Sequence, residues 1–99
     1  FINRIAMKTI TQLEKEQIAQ LTFGKREVLE NPDERKTRMA DLHRAQTLGN
    51  LLQTKVKLIF ETADRQVYQV ETTVWAVGPE FVSLKGGIYL PINSIIQID

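Results

Sequence analysis

Across residues 9–21 (TITQLEKEQIAQL) the apolar positions Ile10, Leu13, Ile18 and Leu21 fall near one helical face, with Lys15, Glu16 and Gln20 elsewhere. That spacing predicts an amphipathic helix. Thr11 followed by Glu14 has the form of a capping box, and Thr9 with Gln12 is an equally good register. Phe23-Gly24 ends the segment, and a short helical piece is expected at Arg26–Leu29. Asn31-Pro32-Asp33 then opens a second helix: Asn caps, Pro at the first helical position loses no hydrogen bond, and Asp33 and Glu34 face the positive end of the dipole. Met39, Leu42, Ala45 and Leu48 give this helix of about fifteen residues a narrow apolar stripe, with Lys36, His43 and Arg44 outward and Gly49-Asn50 as its stop.

From Thr54 the period changes to two. Val56, Leu58 and Phe60 alternate with Lys55, Lys57 and Glu61, and Asp64-Arg65 makes a turn. Val67–Val77 reads as one long strand that bends to serve two parts of a barrel, since eleven residues is about twice the usual strand length. Gly78-Pro79-Glu80 breaks it. Phe81–Lys85 and Ile88–Ile92 flank a two-residue hairpin signal, Gly86-Gly87, and Ile95–Ile98 closes the chain. Five strands are too few for a sandwich, and closing them into a barrel removes both exposed edges.

The first strand, the long bent second strand, the Gly-Gly hairpin and the ending IYLPINSIIQID together resemble small SH3-like barrels, including the Sm-like group. The short turn Pro91-Ile92-Asn93-Ser94 is similar to the one-turn helix found before their last strand. The predicted fold class is therefore α+β: two N-terminal helices followed by a five-stranded antiparallel SH3-like/Sm-like small β-barrel, with residues 1–50 a helical arm and 51–99 the barrel of a single structural domain. The Sm signature of a Gly and an Asp-x-x-x-Asn run is missing from the middle strands, so ring assembly and uridine pockets do not carry over. The chain also resembles a small uncharacterised bacterial family, which implies no activity.

Composition narrows the classes. The 99 residues are 42% hydrophobic and 25% charged, with no Cys, as in one soluble globular domain without disulfides or thiolate metal sites. No window approaches the roughly 18 apolar residues of a membrane span, and FINRIAMKTITQLEKEQ has no apolar stretch of signal-peptide length, so a cytoplasmic protein without membrane contact is expected. The net charge of +1 hides a division: −1 over residues 1–34, +5 over 35–57 and −3 over 58–99. A basic middle is a partner signal, although the simpler reading is a solvated surface paired with the acidic C-terminal half.

Catalytic groupings are scarce. With one His and no Cys, a metal site would need clustered carboxylates, and none are spaced for it. Asp41 and His43 diverge on a helix, and Ser83 and Ser94 lack an adjacent base, a Ser94–His43 pairing being left open. No cofactor is expected, and the chain reads as a non-enzyme. Nucleic-acid binding needs several cations on one surface, which Arg35, Lys36, Arg38, His43, Arg44, Lys55 and Lys57 offer if helix and first strand lie side by side. Trp75 and Tyr89 are candidate stacking platforms. For Trp75 the simpler reading is a lid beneath the N-terminal helices; for Tyr89 burial and exposure are balanced. The alternative is a protein-interaction or homo-oligomerisation module docking through Ile5, Ile10, Leu13, Ile18 and Leu21.

Overall fold

The computed structural model describes residues 9–99. Strand β1 (Ile10–Leu13) is followed by a 3-10 turn (Lys15–Gln20), an irregular segment and one long helix, α1 (Pro32–Leu52). Six strands complete the chain: β2 (Val56–Glu61), β3 (Val67–Thr72), β4 (Val74–Val77), β5 (Phe81–Leu84), β6 (Ile88–Pro91) and β7 (Ile95–Ile98), with a 3-10 turn at Ile92–Ser94 between the last two. They form two sheets, a four-stranded one in the order β1-β3-β2-β7 and a three-stranded one in the order β4-β5-β6.

This corrects the expected architecture. There is one long helix, not two, and the strands do not close into an SH3-like or Sm-like barrel. The predicted first helix is mostly strand: Ile10–Leu13 pairs in parallel with Val67–Val70 and covers the edge of β3 that a five-stranded arrangement would leave open. Its continuation is a 3-10 turn capped at neither expected position, the Glu14 N–H donating instead to Gln17 Oε1 at 3.0 Å. Residues 26–29 are not helical. The long strand does bend, and the break is Thr73, buried between β3 and β4, whose carbonyl accepts from Lys85 N–H. β4 pairs with β5 from Val74 onward, with a bulge between Val74 and Ala76.

Helix α1 begins as expected, Asn31 Oδ1 accepting from Asp33 N–H at 2.8 Å. It does not stop at Gly49. The residue closing it is Gln53, in the left-handed region at φ 55°, with its N–H bonded to Gly49 O. Gly49 is interior to the helix because the helix crosses β4 there: a Cβ on it would lie 2.4 Å from the Val74 carbonyl oxygen. The β5–β6 hairpin spans three residues, Lys85–Gly87, with both glycines at positive φ. The one-turn helix before the last strand is present at Ile92–Ser94.

The main core lies between the two sheets and α1, and includes Leu42, Leu58, Phe60, Val70, Leu84, Leu90 and Ile95. Phe60 sits at its centre, with ring centroids 5.8 Å from Phe23 and 5.9 Å from Tyr68. A smaller cluster on the other face of the large sheet packs Val28 and Leu29 over Ile59, Val67 and Ile96. Ile18 is buried in the main core, Leu13 and Leu21 pack against it, and Ile10 joins the smaller cluster, so these four are not a free docking surface. Ile5, the fifth residue of that set, lies outside the described residues. No helix among the described residues is long and apolar enough to cross a membrane.

Candidate functional site

The seven cations expected to form a strip stand in different settings. Arg38 occupies the core stripe of α1 with Leu42, Ala45 and Gly49 and is 6% exposed. Its guanidinium meets the Glu27 carboxylate through two nitrogens at 2.6 and 2.7 Å and donates to the Ile95 carbonyl at 3.0 Å. Arg35 donates to the carbonyls of Leu29 and Glu30 just ahead of its own helix. Arg44 pairs with Asp41 one turn away. Lys57, on the outer face of β2, stands opposite Glu71 of β3, and its backbone is bonded on the other side to Asp99. Lys36, His43 and Lys55 are exposed, the first two on α1 and the third ahead of β2. Glu61, a candidate partner for the strip, pairs with Arg26 instead, at 2.8 Å.

Burial pushes the Glu27 carboxyl up, but the hydrogen bonds from Arg38 and the Leu29 N–H, with the charges of Arg38 and Arg35, outweigh it and hold the group below its ordinary value. A carboxylate held ionised by a bidentate guanidinium is a structural ion and a poor proton shuttle. Ser94 is buried and donates to the Pro91 carbonyl at 2.7 Å, while His43 lies exposed on the helix, so the two form no nucleophile–base hydrogen bond. Among the described residues no three His, Cys, Asp or Glu side chains converge as metal ligands.

Apolar surface is concentrated where the sequence placed a lid. On the small sheet, alternate residues of β5 face outward with Tyr89 beside Ser83, because the register pairs Ser83 with Tyr89 and with Ala76. Trp75 stands in the bulge of β4 on the same face. Trp75, Phe81 and Tyr89 are 45%, 49% and 64% exposed, so Trp75 is not packed beneath a helix. Glu80 joins Phe81, Ser83 and Tyr89 around a shallow depression of about 360 Å³. Phe81, Pro79 and Glu80 also form one wall of a cleft of about 650 Å³ whose other walls include Phe23, Met39 and Ile92. The Glu27–Arg38 pair, its arginine buried and its carboxylate half-buried, lies at that cleft, and so does Asn93, whose amide donates to the Lys25 carbonyl at 3.1 Å.

The edge of this sheet is closed to strand addition on the helix side. Gln46 Oε1 accepts from the Val77 N–H at 2.7 Å, and α1 packs down on Val74 at Gly49. The helix ends beside β4 with two more apolar side chains in solvent, Leu51 and Leu52. The sequence carried a signal for the face, namely three aromatics at strand positions with no matching helix to cover them. What hid it was the expectation of a second N-terminal helix. Comparison with family models, with curated proteins and with solved structures found no match to this chain.

Proposed function

We propose that this chain is a non-catalytic protein-interaction module whose contact surface is the outer face of β4-β5-β6. The observation that carries the reading is the exposure of Trp75, Phe81 and Tyr89 together on one sheet face. A folded domain that leaves three aromatics about half in water forgoes roughly 1 kcal/mol of burial for each, and such patches are characteristic of surfaces that meet a partner. Aromatic side chains dominate the centres of protein interfaces because they offer large contact area at little rotamer entropy. A neutral face with one acidic and one basic residue at its border, Glu80 and Lys85, suits a protein better than a polyanion. Nucleic acid, the alternative the aromatics would also serve by stacking, needs several free cations beside them. Of the seven expected, Arg38 is buried, Arg44 is paired with Asp41 and Arg35 is bonded to carbonyl oxygens.

The test is photocrosslinking in native lysate from benzoylphenylalanine placed at position 89, with position 57 on the opposite sheet as control, and titration of labelled single-stranded oligonucleotides at two salt concentrations. The reading expects protein adducts from position 89 that disappear when Trp75→Ala is added, none from position 57, and no oligonucleotide binding. Absence of adducts at 89, or oligonucleotide affinity that falls steeply between about 50 and 200 mM salt, overturns it.

A further inference from the structure

Resting on the reading of this face as an interaction surface, we infer that the depression bordered by Phe81, Tyr89 and Glu80 takes an arginine side chain of the partner protein. Strand register builds the site. Phe81 and Ser83 are alternate residues of β5, with the fully buried Val82 between them, and Ser83 pairs with Tyr89 of β6. Both rings therefore rise from the outer side of the sheet, as diagonal neighbours. Positions so related lie about 7–8 Å apart. That gap admits one flat group with a ring against each of its faces, since each van der Waals contact takes about 3.5–4.0 Å. The depression is shallow and holds about 360 Å³.

Charge specifies which flat group. Glu80 stands at the same depression, exposed, and its carboxylate is paired with no cation among the described residues. No Lys or Arg lines the depression among those residues. Arg38, which lines the cleft that Glu80 also borders, is committed to Glu27. Two aromatic rings beside an unpaired carboxylate attract a cation: ring faces are negative, and the carboxylate supplies a full charge. Ser83 adds a hydroxyl oxygen that can accept an N–H.

Guanidinium fits this site better than ammonium. It is planar, it donates to a carboxylate through two N–H groups while its face lies on a ring, and it is the more weakly hydrated of the two. A lysine ammonium is a strongly hydrated point charge that gains little unless rings enclose it, and this depression is open to solvent. One arginine at a shallow site binds weakly, with a dissociation constant of about 1–10 mM for a short peptide. Trp75 stands outside the depression and is left for the partner's neighbouring residues.

The test is a nuclear magnetic resonance titration of the full isotope-labelled chain with acetyl-Gly-Arg-Gly-amide, and with the same peptide carrying citrulline or lysine in place of arginine. The arginine peptide is expected to shift the amide signals of Ala76, Phe81, Ser83 and Tyr89, which lie around the depression. Citrulline keeps the shape without the charge and should bind at least about tenfold more weakly, and lysine about threefold. Glu80 is exposed, so Glu80→Gln keeps the fold, which the unchanged amide spectrum elsewhere verifies. That variant should weaken the arginine peptide about fivefold, whereas Glu71→Gln on the large sheet should not. Absence of shifts at the depression, citrulline or lysine binding as tightly as arginine, or undiminished binding by Glu80→Gln overturns the inference. If position 89 crosslinks proteins while the arginine peptide fails, the arginine site is excluded and the interaction surface is kept. If the peptide binds as expected but position 89 yields no adducts, the guanidinium site stands and the protein-interaction reading is withdrawn.

Discussion

Gly49 of α1 and Val74 of β4 meet backbone to backbone, so closely that no side chain fits between them. The sequence places glycine where a helix would stop, yet the helix runs on to Leu52. The residue is there for contact with a strand, not for a turn. Helix and small sheet are therefore seated on each other at this point, and the exposed aromatic face is held on a rigid base.

Gly49→Ala separates these two roles. By helix propensity alone it gains about 1 kcal/mol. Here the new methyl meets Val74 O at 2.4 Å and Thr73 Cγ2 at 2.9 Å, so a net loss of about 1–3 kcal/mol is expected in urea denaturation. Asn50→Ala, one residue on and exposed, should be neutral or slightly stabilising.

The Glu27–Arg38 pair joins the irregular segment to α1 and, through the Ile95 carbonyl, to β7. Arg38→Met removes a buried cation and leaves Glu27 and that carbonyl without it, for an expected loss of about 3–5 kcal/mol. Glu27 is the more exposed partner, at 31%, so Glu27→Gln should cost less. A double-mutant cycle over both positions should return a coupling of about 1–3 kcal/mol.

Acid should weaken the fold through the same pair. The Glu27 carboxyl is held below its ordinary value of 4.5 when folded, so its contribution is full above that pH and is lost as pH falls through the lowered value. Stability measured from pH 6 down to pH 2 should decline more steeply for the wild type than for Glu27→Gln. Equal acid limbs would show that Glu27 contributes nothing to this slope.

At the β5–β6 hairpin the cost of a side chain is confined to the backbone. Gly87 has φ +77° and nothing within 4 Å of where a Cβ would sit. Gly87→Ala should therefore cost about 1–2 kcal/mol, Gly87→Asn less, and D-alanine introduced by chemical synthesis nothing. A loss with D-alanine would mean that sterics, not φ, set the preference.

Tyr89→Ser tests whether the aromatic face is needed for folding. At 64% exposure the ring contributes little to the core, and stability should change by no more than about 0.5 kcal/mol in a thermal melt.

Much of the fold was legible where local chemistry decides it. The Asn31-Pro32 start of α1, strands β2, β5, β6 and β7, and the one-turn helix at Ile92–Ser94 follow from caps, alternation and turn residues. The segment TITQLEKEQIAQL was misread because its apolar spacing satisfies a helix, while its partner, Val67–Val70, lies 57 residues downstream and leaves no local trace. A second helix would cover Trp75; its absence leaves that side chain 45% exposed. The charge of Arg38 suggests a surface cation, yet it recurs with Leu42, Ala45 and Gly49 on the core stripe. An arginine in that register indicates a carboxylate partner at the core's border, here the half-buried Glu27.

The order β1-β3-β2-β7 also bears on how the polypeptide is made. Residues 95–98 bond β2 and supply the carbonyl that Arg38 grips, while residues 10–13 wait for a strand synthesised much later. During translation the β1 border can form once β3 has emerged, whereas the β7 border exists only after residue 98 has cleared the ribosome tunnel.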